Sequence, residues 1–288
     1  MLNVSERAIW IDGPQGPMLG VLSDCADASL RQGVGLVIVS GGAQYRAGAH
    51  RQFALLARTL ADQGHAVLRF DLPGVGDSPG EPLPFDASAP SVGAAIDALQ
   101  THAPHARRVA LWGLCDGASA CLLYQDEHPD ARLAGMALLN PWVRSEQTLA
   151  AAHLKLYYRD RLRQPEFWRK LAHGGVGLHA LRELAQTVRH RLSPPAAPLP
   201  FQARMARAWL AFERPVLLLL SEKDITAREF DEALTDRTVW GEGAQRPNVQ
   251  RVRLDGADHT LSDPIVSQAM QLHTLRWLMQ LGQQGQQG

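Results

Sequence analysis

The feature that most constrains the fold of this chain is a regular alternation of short apolar runs with helical patterns. The runs are four to six residues long and rich in Val, Ile and Leu, which is typical of strands buried on both faces of a sheet. Five of them occur, at residues 34–39, 66–70, 109–112, 136–139 and 216–220. Strands that alternate with helices form a mostly parallel sheet covered on both sides. The alternation therefore predicts an α/β fold.

Three further strands and three helices complete this prediction. Residues 7–11 and 18–22 flank a Gly-Pro-Gln-Gly segment, which predicts an antiparallel hairpin. Residues 249–254 alternate apolar and polar side chains, so we expect this strand near a sheet edge. The sheet then has about eight strands. Helical spacing of apolar residues marks segments 53–60, 92–99 and 272–281, whereas the Gln- and Gly-rich tail at 282–288 is expected to be frayed.

One interval, residues 141–212, breaks the alternation. It contains no strand candidate, and its helical patterns are interrupted at Pro165, at Gly174 and at Pro194. We therefore predict a core domain of residues 1–140 and 213–288 with a helical cap or lid inserted at 141–212. Six aromatic residues in the insertion would either line a site or attach the lid to the core: Trp142, Tyr157, Tyr158, Phe167, Trp168 and Trp209.

Charge and cysteine content exclude several classes of function. The 29 Lys and Arg residues balance 29 Asp and Glu residues, so nothing favours binding to nucleic acid or to an anionic membrane. No apolar stretch is long enough to span a bilayer. Three cysteines without C-x-x-C spacing argue against a disulfide framework and a structural zinc site, and favour the cytoplasm. We expect no metal and no organic cofactor, because neither a ligand pattern nor a phosphate-binding glycine motif is present. The oligomeric state stays open, a homodimer included.

The most informative segment is residues 109–120, which reads strand, G-x-C-x-G, helix. Gly113 and Gly117 flank Cys115 at the two positions where a Cβ atom would clash in a sharp strand-to-helix turn. A thiol at the start of a helix is favoured as the reactive thiolate. The alternative is that Cys115 is a small buried apolar residue, as many free cysteines are.

This segment resembles the nucleophile elbow of the α/β hydrolases. The resemblance implies an acid after a later strand and a histidine after the last strand. Asp224 follows the strand at 216–220, and His259 follows the strand at 249–254. Glu222 and Asp258 are rival acids. The resemblance thus implies a Cys115, His259 and Asp224 triad.

The α/β hydrolases also use two backbone N–H groups to hold the oxyanion. The resemblance assigns one to Asp116, which follows the nucleophile, and the other to the glycine-rich turn after the strand at 34–39. Gly42 is the preferred second donor, with Gly41 or Ala43 as alternatives and a purely structural turn as the competing interpretation.

Three segments, residues 41–52, 71–78 and 112–118, together resemble a narrower group, the exosortase A system-associated hydrolases of the first type. The similarity covers most of the core domain. It implies a bacterial enzyme encoded beside exopolysaccharide and protein-sorting machinery. The segment at 71–78 matches a D-x-x-G-x-G-x-S loop that is mainly architectural in α/β hydrolases.

A polar cluster follows the oxyanion turn and has two interpretations. Gln44, Tyr45, Arg46, His50 and Arg51 could bind a carboxylate, phosphate or sugar of the substrate. They could equally hold their own loop in place by hydrogen bonds.

We therefore predict a hydrolase of small-molecule esters, thioesters or lactones that forms an acyl-cysteine intermediate. Two alternatives remain open at this stage. The first is an acyltransferase that passes the acyl group to a sugar or alcohol. The second is a catalytically silent binding protein with the same fold.

Overall fold

The computed structural model describes residues 3–42, 44–143, 200–235 and 239–284. The chain divides into two compact units, residues 1–143 with 203–288, and residues 144–202. Nearly all of the second unit lies outside the described residues, so the predicted lid and its aromatics at 157, 158, 167 and 168 remain a prediction. Trp142 and Trp209 belong to the first unit.

A single eight-stranded sheet organises the described part of the first unit, with the spatial order β1-β2-β4-β3-β5-β6-β7-β8. The strands β1 and β2 form the antiparallel hairpin, β2 runs antiparallel to β4, and all later pairs are parallel. The strand bounds are Val4–Gly13 (β1), Gly16–Cys25 (β2), Val34–Val39 (β3), Val67–Phe70 (β4), Arg108–Leu114 (β5), Leu133–Leu139 (β6), Val216–Ser221 (β7) and Val249–Leu254 (β8). The predicted fold class is confirmed, and β8 is an edge strand as its alternating pattern predicted.

The helices of the described residues alternate with these strands. Their bounds are Gln52–Asp62 (α1), Ala89–His102 (α2), Asp116–Glu127 (α3), Phe201–Ala211 (α4), Ile225–Thr235 (α5), Val239–Ala244 (α6) and Pro264–Gln284 (α7). Because α7 extends to Gln284, the prediction of a frayed tail was wrong for residues 282–284. No described helix is long and apolar enough to cross a membrane.

Two of these helices, α5 and α6, were not predicted. The segment of α6 carries Gly241 and Gly243, which favour loop in a sequence. In the structure a Cβ at Gly243 would lie 2.0 Å from the indole nitrogen of Trp209. That indole N–H donates to the carbonyl oxygen of Trp240 at 3.2 Å. Tertiary packing on Trp209 therefore decides the conformation of α6.

The core lies on both faces of the sheet. Every residue of β3 is buried, and the same holds for β6 and β7. Trp112 of β5 packs edge-on against Phe53 of α1, with ring centroids 5.7 Å apart. Complete burial of side chains of this kind stabilises the fold by roughly 1.5–3 kcal/mol each.

Parallel pairing sets the position of the chemistry-bearing loops. The strands β3, β5, β7 and β8 run in the same direction, so the loops that follow them emerge at one edge of the sheet. Ligand sites of open α/β sheets lie outside this carboxyl edge. Gly42, Cys115, Asp224 and His259 all follow strands that end there.

Candidate active site

Cys115 lies at a sharp turn between β5 and α3. Its φ is 58° and its ψ is −125°, a backbone conformation that L residues rarely adopt. A Cβ at Gly113 would lie 2.5 Å from the carbonyl oxygen of Gly117, and a Cβ at Gly117 would lie 2.4 Å from that of Val39. Both flanking positions therefore require glycine, as the elbow pattern predicted.

Backbone hydrogen bonds hold the turn in place. The Cys115 N–H donates to the carbonyl oxygen of Leu139 at 2.9 Å, which ties the elbow to the end of β6. The Cys115 carbonyl oxygen accepts from the N–H groups of Ala118 at 3.1 Å and Ser119 at 3.2 Å, which begins α3. Cys115 is half-buried, whereas Cys25 and Cys121 are buried. Among the three cysteines, Cys115 is thus the one that combines access with a strained backbone.

His259 lies between Cys115 and Asp224. Its Nδ1 atom is 2.9 Å from Oδ2 of Asp224, and its side chain also interacts with that of Cys115. Asp224 is 5% exposed, and its Oδ1 accepts from the N–H of Thr226 at 3.1 Å. The aspartate is therefore fixed by the first turn of α5 and in turn orients the imidazole.

These hydrogen bonds perturb the protonation of the histidine. Bonding to Asp224 first, and then to Cys115, raises the pKa of His259 to about 10. The imidazolium is consequently favoured at neutral pH.

The loops that carry Asp224 and His259 are joined to each other. The N–H of Lys223 donates to the carbonyl oxygen of Ala257 at 2.8 Å. One strand away, the buried Asn140 binds Ser221 twice: its Oδ1 accepts from the Ser221 N–H, and its Nδ2 donates to the Ser221 hydroxyl, both at 2.9 Å. The acid-bearing loop after β7 is therefore fixed from both sides.

The two rival acids serve other groups. Glu222 accepts from the N–H of Gly256 at 2.8 Å, which holds its pKa below the usual range. Asp258 accepts hydrogen bonds from Ser262 and Thr260, and these lower its pKa to about 2. The structure brings neither carboxylate to His259, so Asp224 is the acid of this arrangement.

The turn after β3 meets the elbow through Asp116. The Gly42 N–H donates to Oδ2 of Asp116 at 2.8 Å. A Cβ at Gly41 would lie 2.0 Å from Oδ1 of Asp116, so this glycine is required for the approach of the two segments. Ala43, the third candidate donor, lies outside the described residues.

A cavity of about 360 Å³ opens beside the cysteine. The residues that line it are Gly41, Gly42, Gln44, Phe85, Cys115, Asp116, Trp142 and His259. A larger groove of about 880 Å³ lies between the β1–β2 hairpin and α2, and none of the triad residues lines it. The smaller cavity is therefore the candidate active site, because a candidate nucleophile, a candidate base and backbone donors converge there.

The polar cluster after the oxyanion turn separates in the structure. Gln44 lines the cavity beside Cys115. The guanidinium of Arg46 pairs with Asp71 and Asp77 of the 71–78 loop, which ties its own loop to that segment. His50 and Arg51 are exposed and adopt left-handed φ values of 51° and 61°.

Tyr45 of the same cluster is 48% exposed. Tyr45, Arg46, His50 and Arg51 are therefore not among the residues that line the cavity. Of the predicted substrate-binding residues, the structure brings Gln44 alone to that lining.

Sequence reasoning missed Phe85, whereas it named Trp142 among the aromatics that would line a site or attach the lid. Phe85 opens a single 3₁₀ turn at Phe85–Ala87, and no periodicity marks it as a cavity residue. Trp142 lines the cavity, and its backbone N–H donates to the hydroxyl oxygen of Ser119 at 2.9 Å. Its position three residues after the end of β6 was the signal for a place at the carboxyl edge of the sheet.

Comparison with known proteins agrees with this architecture. A sequence profile of the alpha/beta hydrolase family matches residues 36–271. No curated protein matches the chain significantly in sequence.

Within the described residues, no group of three or more His, Cys, Asp or Glu could hold a metal ion.

Solved structures share the fold. An esterase from Pyrococcus furiosus is 15% identical, with a TM-score of 0.64 over 97% of this chain and 92% of that chain. A thermophilic esterase from Thermogutta terrifontis is 20% identical, with a TM-score of 0.58 over 96% and 99%. The α/β hydrolase GrgF from Penicillium sp. sh18 is 18% identical, with a TM-score of 0.62 over 96% and 99%. At these identities the similarity concerns the fold alone.

The profile covers most of the chain and includes the elbow, the acid-bearing loop and the histidine. The predicted enzyme class, an α/β-fold hydrolase, is confirmed at this level. The chain belongs to the alpha/beta hydrolase family.

Proposed function

We propose that this protein hydrolyses carboxylic esters, thioesters or lactones through a covalent acyl intermediate on Cys115. The observation that carries the proposal is the position of His259, which is 2.9 Å from Asp224 and lines the same cavity as Cys115. A nucleophile, an oriented base and backbone donors at one cavity are the parts that acyl transfer requires. The names of two structural neighbours, both esterases, agree with this reaction class.

The first half of the reaction forms the acyl enzyme. The proton of the Cys115 thiol is held by His259 before attack, so the imidazole is charged and the thiolate attacks the substrate carbonyl carbon. The resulting oxyanion accepts from the N–H of Asp116 and from that of Gly42. The tetrahedral intermediate then expels the alkoxide or thiolate leaving group, which takes the proton from His259.

The second half of the reaction returns the free enzyme. His259 removes a proton from water, and the hydroxide attacks the thioester carbonyl of the acyl enzyme. Collapse releases the carboxylic acid and returns the Cys115 thiolate beside protonated His259. Because a thiolate is a good leaving group, the site suits esters and thioesters better than amides, whose amine leaving groups are poor.

The biological setting follows from the sequence resemblance. The resemblance of residues 41–52, 71–78 and 112–118 to exosortase A system-associated hydrolases supports a substrate within bacterial exopolysaccharide or protein-sorting systems. We also assign the enzyme to the cytoplasm, because its three cysteines show no pattern of a disulfide framework.

The experiment is intact-protein mass spectrometry after brief exposure to p-nitrophenyl esters and acyl thioesters. The wild type is expected to gain one acyl mass that maps to Cys115 and to lose it on standing. Cys115→Ala should gain none, and His259→Ala should acylate slowly and keep its adduct. Cys25→Ala is the matched control, because it removes a buried thiol away from the cavity and should acylate like the wild type.

The same experiment decides against the proposal if Cys115 takes up no acyl group from any ester. A silent binding protein would then be the better interpretation. Turnover that requires added alcohol or sugar would instead identify an acyltransferase.

A further inference from the structure

The N–H of Gly42, the second oxyanion donor of the proposed reaction, is already hydrogen-bonded in the structure. The Gly42 N–H donates to Oδ2 of Asp116 at 2.8 Å, which is an ordinary length for a charge-assisted hydrogen bond. A backbone N–H carries a single hydrogen, so it cannot bind this carboxylate and a substrate oxyanion at full strength together. The side chain of Asp116 thus competes with the substrate for the donor that the proposed reaction needs.

The surroundings of Asp116 make burial of its charged carboxylate beside Gly42 unfavourable. Burial raises the pKa of the Asp116 carboxyl, while the N–H groups of Gly42 and Gly117 act in the opposite direction. Its Oδ1 atom is buried and has no hydrogen-bond partner of ordinary geometry among the described residues. The contact with Gly42 is therefore a principal compensation for the burial of this negative charge.

A substrate that takes the Gly42 N–H displaces the carboxylate into the cavity. The charged and titratable groups there are His259 and Cys115, and the other described side chains of the lining are Gln44, Phe85 and Trp142. The imidazolium of His259 is hydrogen-bonded to Asp224 and attracts the Asp116 carboxylate only through its charge. A displaced carboxylate beside two aromatic rings gains most from a hydrogen-bond donor that the substrate itself supplies.

The substrate group closest to this position is fixed by covalent geometry. Asp116 provides one oxyanion donor from its own backbone, so its carboxylate stays within a few bonds of the carbonyl oxygen. A substituent on the carbon next to the carbonyl is the nearest part of the acyl group to that carboxylate. A hydroxyl or ammonium at this carbon can donate to it, whereas a carboxylate there would repel it.

We propose that Asp116 determines acyl specificity, and that it selects acyl groups with a hydroxyl or ammonium on the carbon next to the reacting carbonyl. This inference rests on the proposed acyl-cysteine chemistry. In the resting enzyme Asp116 occupies the Gly42 N–H. A 2-hydroxyacyl or 2-aminoacyl group draws the carboxylate onto its own donor and leaves the Gly42 N–H for the oxyanion, whereas an unsubstituted acyl group has to displace it without compensation.

The test compares p-nitrophenyl esters of butyric, 2-hydroxybutyric and 2-aminobutyric acid, each rate divided by its rate of hydroxide hydrolysis. Cys115 of the wild type should acylate from the two substituted esters roughly tenfold to a hundredfold faster than from the butyrate, the range given by one hydrogen bond to a charged group. In Asp116→Ala this preference should disappear, because acylation by the butyrate rises.

Two further variants make the comparison specific. Asp116→Asn keeps the shape of the side chain but accepts from Gly42 more weakly, so its preference should be intermediate. Asp27→Ala is the matched control, since Asp27 is an exposed carboxylate that accepts a backbone N–H from Ser29 at 2.9 Å, outside the cavity. This control should keep the wild-type preference.

Alkylation of Cys115 by iodoacetamide needs no oxyanion donor and serves as the readout of an intact nucleophile. It should change less than about threefold in Asp116→Ala, because the substitution leaves Asp224 and His259 in place. A preference that persists in Asp116→Ala would overturn the inference, as would an equal loss of acylation with all three esters. Failure of the proposed function is distinguishable, since no ester would then acylate Cys115 in any variant.

Discussion

The substitution Gly117→Ala tests the geometry of the elbow most directly. Gly117 lies in the first turn of α3, where an added Cβ would lie 2.4 Å from the carbonyl oxygen of Val39 and 2.9 Å from the carbonyl carbon of Ser40. Both are backbone atoms at the end of β3, so they cannot rotate away. An unstrained contact between a carbon and a backbone atom needs about 3.4 Å or more. The helix and the oxyanion turn must therefore separate by about 1 Å.

The stability effect follows from two opposing contributions. Overpacking of this kind costs about 1–3 kcal/mol, and the higher helix propensity of alanine returns up to about 1 kcal/mol. The net loss is up to about 2 kcal/mol, which lowers the Tm of a chain of this size by up to about 8 °C. Differential scanning calorimetry measures this shift.

The effect on chemistry is expected to be larger than the effect on stability. The separation moves Gly42 relative to Cys115, and a misplacement of about 1 Å at a reacting centre costs roughly a hundredfold in rate. Acylation of Cys115 by a p-nitrophenyl ester should fall by about that factor. Iodoacetamide alkylation needs no oxyanion donor and should fall by less than about threefold.

Gly93→Ala is the matched control. Gly93 is a helical residue of α2 whose added Cβ would first meet a side-chain carbon of Tyr124 at 3.4 Å, an ordinary contact. This variant should gain up to about 1 kcal/mol from helix propensity and acylate normally. Equal Tm shifts in the two variants, or wild-type acylation in Gly117→Ala, would refute the reasoning.

Three other predictions concern the triad and its support. Asp224→Asn should slow acylation of Cys115 by roughly three to four orders of magnitude in stopped-flow measurements, because the amide cannot hold His259 in the required tautomer; a loss below tenfold would contradict this. The raised pKa of His259 implies that this residue stabilises the fold fully below pH 6.5 and less as pH approaches 10. The free energies of unfolding of wild type and His259→Ala, measured by denaturant titration, should therefore converge as pH rises. A difference that grows with pH would contradict this prediction. Asn140→Ala should cost about 1–3 kcal/mol by leaving the buried Ser221 N–H unpaired, and more than Ser221→Ala, which keeps that bond; calorimetry showing the opposite order would exclude the assigned role.

The fold was largely predictable because local patterns carry it. Strands buried on both faces must be apolar at every position, so β3 and β7 are visible in the sequence before any contact is known. The edge strand β8 shows its single buried face by alternation. By contrast, α6 contains two glycines and forms because Trp209 packs on it from elsewhere in the chain.

The parts of the site differ in the same way. A strained turn needs Gly113 and Gly117 on either side of Cys115, so a short local sequence pattern is enough to predict the elbow. Arg46 was a candidate for substrate binding, but its guanidinium pairs with Asp71 and Asp77, which follow it by 25 and 31 residues. No local pattern distinguishes an arginine that faces a substrate from one that ties two loops together.

By itself, the sequence determined the α/β architecture, the glycine-flanked turn at Cys115 and the chain order of the candidate nucleophile, acid and base. These features depend on periodicity, turn chemistry and strand direction, which are local or follow from chain order. Only the tertiary structure decided that Asp224, rather than Glu222 or Asp258, meets His259, and that the carboxylate of Asp116 binds the Gly42 N–H. Which carboxylate meets which donor depends on distances of a few ångströms between loops from different strands, and such distances are set by packing.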